Sequence, residues 1–364
     1  MTRKRIILAA VAVVLVLVGA GVAFALAGRD SDDPPAAAPS TPVTPSSAPA
    51  SASPAPSPGA DIDGPLDLLL IGVDTRVSVP DWEPHADTIM LLHLEPGLES
   101  GYLYSLPRDL RVQMPAFPAA GFAGGRFKIT EAMSRGSRVS GSKKPNAKQG
   151  YDLLSRTISR YTGIKSFDAG AVLTFDGLSK LTDALGGVTL RIDTKVQSQH
   201  RRPDGSLRTL KRGGGGYTGP QATYLPGVRT LKGWQAIDYA RQRYGLKNGD
   251  YDRQRHQRQL VTALLTKAMN DGLATDTTKL EAVIQALGET MQYTGARSPA
   301  EFAYALRNLK PGGITMVTLP GDSVGNGSGY LGEQLLPLGR DFIKAVAADR
   351  PGPYLAAHPQ LKHR

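Results

Sequence analysis

The chain of 364 residues carries 43 Lys and Arg against 32 Asp and Glu, a net charge of +11, and it contains no cysteine. The lack of cysteine excludes disulfides, thiol catalysis and cysteine-ligated metals. The positive charge favours an anionic partner such as nucleic acid, a membrane surface or a phosphorylated substrate.

The N-terminus predicts export. An uncharged apolar run at residues 6–28 follows a basic start at Arg3, Lys4 and Arg5. At about 1.5 Å per residue this run is long enough to cross a ~30 Å hydrocarbon core. The positive-inside rule then places residues 1–5 in the cytoplasm and the later chain outside. A cleaved signal peptide is the alternative, because residues 25–27 read Ala-Leu-Ala, but the length of the run favours an uncleaved anchor.

Composition divides the rest of the chain into three parts. Residues 29–64 are rich in Pro, Ala and Ser and are predicted to be a disordered linker, because they cannot bury a core. Residues 65–350 intermix short apolar strands with helical patterns, which predicts a single three-layer α/β/α domain with a central mixed sheet. Residues 351–364 are expected to be a flexible tail.

The predicted elements of this domain alternate along the chain. Apolar runs ended by Gly, Pro or Asp predict short strands within residues 66–74, 87–96, 101–109, 168–175, 188–193 and 313–321. Apolar residues at helical spacing predict helices at residues 148–162, 175–185, 230–243, 250–269, 280–291, 299–309 and 331–348. A polar, Gly-rich loop is predicted at residues 197–227.

Two aspartates are predicted at the ends of neighbouring strands. Asp74 emerges at the carboxyl end of the first strand, and Asp87 stands just before the second. Open α/β sheets bind ligands at such edges, and two carboxylates there can share a hard cation such as Mg²⁺. Each aspartate can equally be a residue that only caps a turn.

Arginines surround the same region of the predicted sheet. Arg108 and Asp109 follow a strand and a proline, either as a surface ion pair or as a guanidinium fork for phosphate. Arg241 and Arg243 are two residues apart, so an extended backbone would point both to one face. Lys128, in the sequence Arg-Phe-Lys-Ile-Thr-Glu-Ala, is by itself typical of a solvated lysine.

The long helix at residues 250–269 supplies a further arginine. Its apolar stripe, extended backwards from Leu260, reaches Gln257 and then Arg253. Arg253 is therefore predicted to point inward near the helix N-terminus. Such an arginine needs an anionic partner, which is either Asp250 or Asp252, or a bound phosphate that the helix dipole would favour. Arg255 and Arg258 lie off the stripe and are predicted to be in solvent.

Six motifs in order resemble the LytR-CpsA-Psr (LCP) family of cell-wall ligases. They read LLLIGVDTR, ADTIMLLHLEP, YSLPRDLRVQMP, FKITEA, FDGLSKLTDALGGVTLRI and GWQAIDYARQRYGLKNGDYDRQRHQRQL. The resemblance covers roughly residues 66–348. It implies an enzyme that takes a glycopolymer from a polyprenyl-pyrophosphate carrier and attaches it to peptidoglycan through a phosphodiester, with Mg²⁺ as cofactor.

The resemblance also assigns roles to individual residues. Asp74 and Asp87 match the family's acidic metal positions, and Asp74, Arg108 and Arg253 match its catalytic positions. The positions implied to contact the pyrophosphate are Arg76, Arg108, Arg241, Arg243, Arg253 and Gln257. The chain departs from the family at His85 and His256, where arginines are usual.

Other functions are consistent with parts of the sequence. The basic stretch at residues 238–260 suggests a nucleic-acid-binding regulator, but the predicted topology puts it on the exported side, so no nucleic-acid partner is expected. A non-catalytic wall-binding or envelope regulatory protein would use the positive charge without the aspartates. A pyrophosphatase acting on the same lipid carriers would differ only in using water as the acceptor. The expected partners are the lipid-linked glycopolymer, peptidoglycan and the cell membrane.

Overall fold

A computed structural model of the protein describes residues 59–74, 83–212, 216–271, 277–309 and 312–362. The predicted anchor at residues 6–28, nearly all of the predicted linker, and Arg76 lie outside these residues. Within the described ranges, no helix has both the length and the apolar character needed to cross a bilayer.

The described chain contains short strands and helices in alternation. The strands are β1 Leu66–Asp74, β2 His85–Leu94, β3 Gly101–Ser105, β4 Arg111–Met114, β5 Gly125–Lys128, β6 Ala169–Thr174, β7 Val188–Ile192, β8 Val196–Gln197, β9 Thr209–Leu210, β10 Tyr217–Thr218, β11 Thr223–Tyr224, β12 Gly227–Leu231, β13 Met291–Gly295, β14 Ile314–Val317, β15 Gly321–Val324 and β16 Gly332–Leu335. The helices are α1 Glu131–Ser137, α2 Ala147–Thr162, α3 Phe175–Ala184, α4 Gly233–Arg241, α5 Asp250–Asn270, α6 Thr277–Leu287, α7 Pro299–Ala305, α8 Pro337–Ala347 and α9 Pro351–Ala357.

Six strands form the central sheet in the order β13-β6-β1-β2-β3-β14. Strand β1 pairs antiparallel with β2 and parallel with β6, and β3 pairs antiparallel with β2 and parallel with β14. The prediction of a mixed central sheet is therefore confirmed.

Both faces of this sheet are covered. Because successive strand residues point to opposite faces, Leu66 and Leu68 of β1 pack in one core cluster with residues of α3 to α7. Leu69 and Ile71 pack in a second cluster with residues of α1, α2, α8 and α9. Two cores separated by one sheet make the three layers that the sequence predicts.

The C-terminal region differs from the sequence-based expectation. Helix α8 begins at Pro337 rather than at residue 331, because residues 332–335 form strand β16 of a hairpin with β15 and proline is favoured at the first helical position. The prediction of a flexible tail is wrong for residues 351–362. They form α9 and a 3₁₀ turn, in which Leu355 and Leu361 are buried against the second core cluster.

The predicted loop between β7 and α4 has some regular structure. Strand β12 pairs with β7, β8 pairs with β11, and β9 pairs with β10. Asp238 of α4 is buried and accepts hydrogen bonds from Ser198 at 2.9 Å and from Tyr224 at 2.8 Å. This segment is therefore attached firmly to α4.

Candidate active site

The antiparallel pairing of β1 and β2 brings the two predicted aspartates to the same edge of the sheet. Asp74 is opposite His85 in the ladder. Gly72 pairs with Thr88 and Val73 with Ala86, so Asp87 is an extra residue at a β-bulge. Asp87 therefore lies inside β2, and not before the strand as the sequence predicts. Bulges re-aim side chains and interrupt the hydrogen bonds of the ladder. The carboxylate and the backbone carbonyl of Asp87 are therefore free for other contacts.

Two arginines use the groups that the bulge frees. The Asp87 carboxylate accepts a hydrogen bond from Nη1 of Arg108 at 2.5 Å. Its backbone carbonyl accepts one from Nη2 of Arg253 at 3.0 Å, and Nη1 of Arg253 is 4.0 Å from the Asp87 carboxylate. The bulge thus joins the β3–β4 loop to the first turn of α5.

Arg253 points inward, as the apolar stripe of α5 predicts. It is 4% exposed, and its Nη2 is 2.8 Å from the Asp250 carboxylate. Burial lowers the pKa of Arg253, while Asp250 and Asp87 act in the opposite direction. Its buried Nε has no hydrogen-bond partner among the described residues, so one strong donor is left over in the interior.

Arg108 is less buried than Arg253, but it has a similar unused donor. Its buried Nε also has no hydrogen-bond partner in the described chain. Burial lowers the pKa of Arg108, but the nearby carboxylates of Asp87, Asp109 and Asp250 outweigh that effect and raise it. Buried donors are usually satisfied. The Nε of Arg108 lies 3.9 Å from the Asp109 carboxylate. Two charged donors without a hydrogen-bond partner, both on arginines that contact Asp87, are available to an anionic ligand.

An apolar cavity opens beside these residues. It lies between the sheet and helices α3, α4 and α5, and its volume is about 80 Å³. Arg241 and Gln257 are its long polar lining residues. The guanidinium carbon of Arg241 lies 4.2 Å from the centre of the Phe175 ring. Nη2 of Arg241 is 3.9 Å from the Asp74 carboxylate. The Oε1 atom of Gln257 is buried without a partner in the described chain.

The prediction that Arg255 and Arg258 lie in solvent is wrong. Arg258 is 3% exposed, and it donates to the Thr318 hydroxyl at 3.2 Å. Burial and the neighbouring Arg255 lower the pKa of Arg258 to about 10. Arg255 is mostly buried and forms ion pairs with Asp193 and Asp252. The sequence pattern fails here because α5 packs on several sides, against β3, β7 and α4, whereas a single apolar stripe implies one buried side.

His256 stands where the family usually has an arginine, and it is fully buried. Its ring stacks on Tyr239 at a centroid distance of 4.4 Å. Burial, together with the charge of Arg255, lowers the pKa of His256 to about 4. The imidazole is therefore neutral near pH 7 and does not replace the charge of an arginine.

Contacts join most of the predicted site residues into two groups, which the pairing of β1 with β2 brings to the same edge of the sheet. The described contacts link Asp87 with Arg108 and Arg253, and Asp74 with Arg241. Arg243 differs, because its described polar contact is with the hydroxyl of Tyr244 at 3.0 Å. Asp250 contacts Arg253, as one of the alternatives open from the sequence predicts. The burial of Arg258 was not predicted, because it depends on how α5 packs.

Asp74 and Asp87 can hold a hard cation only if a bound ligand or water supplies further oxygen atoms. In the described part of the chain, no group of three or more His, Asp or Glu side chains is arranged to hold a metal. Asp74 and Asp87 offer two carboxylates at one sheet edge. Mg²⁺ is commonly bound by one or two carboxylates, with waters and substrate phosphates completing the shell, so these two residues fit such a site.

This geometry defines a protein that binds an amphiphilic anion. Arginine donors without a described partner lie next to an apolar cavity, which suits a ligand that has both an anionic group and an apolar part. The family model then identifies the chain more closely. Residues 37–336 match the LytR_cpsA_psr family, and the chain belongs to that family.

The chain is also similar to curated proteins of other bacteria. The chain is 26% identical to the cell wall biosynthesis protein LcpA of Corynebacterium glutamicum over 81% of this chain and 57% of LcpA. It is 28% identical to the biofilm regulatory protein A of Streptococcus mutans, over 63% of this chain and 49% of that protein. The match to a polyisoprenyl-teichoic acid–peptidoglycan teichoic acid transferase, TagV of Bacillus subtilis, is 22% identical over 63% of this chain and 49% of TagV.

The crystal structure of TagV superposes on this fold with a TM-score of 0.57, at 17% identity, covering 80% of this chain and 98% of that one. At this identity the likeness concerns the fold alone. The chain spans about half the length of the curated relatives it matches.

Proposed function

We propose that this protein is a membrane-anchored, extracytoplasmic phosphotransferase that moves a glycopolymer from a polyprenyl-pyrophosphate carrier to peptidoglycan and forms a phosphodiester. One observation carries the proposal: Arg108 and Arg253, each with a buried Nε atom that has no hydrogen-bond partner in the described chain, contact Asp87 next to an apolar cavity. One relative named as a cell wall biosynthesis protein and another named as a polyisoprenyl-teichoic acid–peptidoglycan teichoic acid transferase support it.

The constellation has the parts that phosphoryl transfer needs. A pyrophosphate held by Arg108 and Arg253 would have its negative charge neutralised in a site with little water. An acceptor hydroxyl attacks the sugar-linked phosphorus, the bond from that phosphorus to the bridging oxygen breaks, and polyprenyl phosphate leaves. Charge grows on the leaving oxygen, so fixed guanidinium donors stabilise the transition state more than the ground state.

The two aspartates would take different roles. The Asp87 carboxylate already accepts a hydrogen bond from Arg108 at 2.5 Å, so its position is fixed by that contact. The cation described nearest to Asp74 is Arg241 at 3.9 Å, so the Asp74 carboxylate is the one left open to contact an acceptor hydroxyl. Mg²⁺ bound by Asp74 and Asp87 would supply further neutralisation of phosphate charge.

The cavity would hold the apolar end of the carrier. Apolar side chains such as Leu173, Leu260 and Leu264 line it, and Arg241 stands among them. A polyprenyl chain inside would place its pyrophosphate near the arginines.

Mass spectrometry of lipid extracted from the purified full-length protein tests this assignment. A polyprenyl phosphate or pyrophosphate bound in near-stoichiometric amount is the expected result. Protein that carries only bulk membrane phospholipid, even after incubation with purified polyprenyl pyrophosphate, would refute it.

A further inference from the structure

Residues 194–232, here called the basic lobe, connect β7 to α4 and concentrate the charge of the chain. They contain eight Lys and Arg but one acidic residue, Asp204, a net charge of +7 against +11 for the whole chain. Between the described residues, none of these eight basic side chains forms a salt bridge, and five of them are exposed. Those five are Lys195, Lys211, Arg212, Arg229 and Lys232.

The basic lobe also exposes large apolar side chains. Leu207 is 67% exposed, Leu210 59%, Leu225 52% and Val228 61%. Seven large hydrophobic residues are strongly exposed in the described structure, and these four all lie in the basic lobe. Exposed apolar side chains that are concentrated in one segment in this way are typical of an interaction surface.

The basic lobe is attached next to residues that line the apolar cavity. The backbone N–H of Gln199 donates to Oε1 of Gln242 at 3.0 Å, and the Ser198 hydroxyl donates to Asp238 at 2.9 Å. Asp238 lies in α4 and Gln242 directly follows it, so both partners are close along the chain to Arg241, which lines the cavity. Inside the basic lobe, Arg208 donates to three backbone carbonyls, so the fold of the segment is itself held by hydrogen bonds.

We propose that the basic lobe docks onto the surface of an anionic lipid bilayer, as a contact additional to the predicted anchor. Uncompensated Lys and Arg attract anionic head groups, and aliphatic side chains gain free energy in the acyl boundary region. An anionic wall polymer would satisfy the charges but offer nothing to the three leucines and the valine. Docking would bring the mouth of the cavity to the membrane, where a lipid-linked ligand is found.

The lack of native cysteine allows a direct test in the full-length protein. Leu207→Cys carries a fluorescent label in the basic lobe, and Leu336→Cys carries the same label on an exposed leucine elsewhere. Each protein is reconstituted in vesicles of phosphatidylcholine with or without phosphatidylglycerol. Quenching by a shallow nitroxide lipid is compared with quenching by aqueous iodide, and neither readout depends on turnover. A failure of docking is therefore distinguishable from a failure of the proposed transferase function.

The expected result is specific to the basic lobe. In vesicles with phosphatidylglycerol, the nitroxide lipid should quench the Leu207→Cys label several-fold more than the Leu336→Cys label, and iodide should show the reverse. High salt should reduce the difference, because it screens exposed charges. Equal quenching at the two positions in anionic vesicles would overturn the proposal.

Charge reversal supplies a second measurement. Lys211→Glu with Arg212→Glu should shift the docking equilibrium at least about 25-fold toward the free state, since each basic residue near an anionic surface contributes roughly fivefold. Lys143→Glu with Lys144→Glu, an exposed basic pair outside the basic lobe, is the matched control and should leave docking unchanged. Docking that survives the first pair, or is lost equally with the second, would contradict the proposal.

Discussion

Arg253 shows how one residue serves both the fold and the site. It is almost fully buried, and it contacts Asp250 and the backbone carbonyl of Asp87. Its Nε donor has no hydrogen-bond partner in the described chain. A buried guanidinium is stable only with partners. The contacts to the protein hold the planar group in place, so the remaining donor is positioned before any ligand binds.

Replacing Arg253 should therefore reduce turnover more than binding. Arg253→Lys keeps the charge but loses the planar fork, and Arg253→Ala loses both. We expect both variants to lower kcat on the order of 10²-fold or more, by analogy with removal of an oxyanion-hole donor. The measurement is transfer from a purified lipid-linked donor. Arg160→Lys, at an exposed position on α2, is the control and should behave as wild type. Wild-type activity in Arg253→Ala would contradict the role.

His256 makes the fold sensitive to acid. Its pKa is about 4 in the folded protein and about 6.5 in an unfolded chain. The unfolded state therefore binds more protons between these values. The stability from neutral His256 is fully present above about pH 6.5 and is lost as the pH falls toward 4, on the order of 3 kcal/mol in total.

His256→Phe keeps a ring against Tyr239 and removes the titrating group. Its free energy of unfolding, measured by denaturant titration, should fall less than that of wild type between pH 6.5 and pH 4. Asp193, Asp252 and Arg255 surround the ring and are common to both proteins, so the difference isolates His256. Parallel pH profiles would show that the imidazole is not held neutral by the fold.

Helix α5 is the element on which the site depends. Polar residues on several of its sides are buried, among them Arg253, His256, Gln257 and Arg258. A helix buried around most of its circumference normally has apolar residues there. Sequences that place charges inside at a cost to stability usually do so for function.

Arg258 allows the effect of a buried charge on stability and on turnover to be measured. Its described hydrogen bond is to the Thr318 hydroxyl, with no described ion pair, and burial lowers its pKa to about 10. Arg258→Met, which replaces an unpaired buried charge with an apolar side chain of similar length, should raise the free energy of unfolding by about 1–4 kcal/mol. Turnover should fall in the same variant. A loss of stability would mean that Arg258 has a stronger protein partner than its hydrogen bond to Thr318.

The cavity between α3, α4 and α5 can be tested by filling it. Ala240 lines the cavity next to Arg241, so Ala240→Phe should abolish co-purified lipid and lower turnover while the protein stays folded. Ala305→Phe adds the same bulk to the same core cluster away from the cavity, and such overpacking costs about 1–3 kcal/mol in either protein. Retention of lipid by Ala240→Phe, with loss only in Ala305→Phe, would move the ligand elsewhere.

At the scale of the whole molecule, the sequence predicts features that depend on local rules. The strand at Leu66–Asp74 was predicted from its apolar run. The end of α2 was predicted from Gly163, whose φ of 84° is favourable for glycine. The inward direction of Arg253 followed from helical periodicity.

Features set by distant contacts were not predictable in the same way. The bulge at Asp87 depends on the register between β1 and β2, and the burial of Arg258 depends on the packing around α5. Helix α9 begins Pro-Gly-Pro, which reads as a loop, and it is helical because Leu355 packs in the core.

The central claim is that the protein transfers a glycopolymer and does not hydrolyse its carrier. The most direct test incubates the purified full-length protein with polyprenyl-pyrophosphate-linked glycopolymer and Mg²⁺, with or without peptidoglycan fragments. For a transferase we expect one polyprenyl phosphate to be released for each glycopolymer that is attached to peptidoglycan through a phosphodiester. Little polyprenyl phosphate should be released when the acceptor is absent. Equal release without acceptor would identify a pyrophosphatase, and absence of both release and attachment would identify a binding or regulatory protein. Either result would contradict the account.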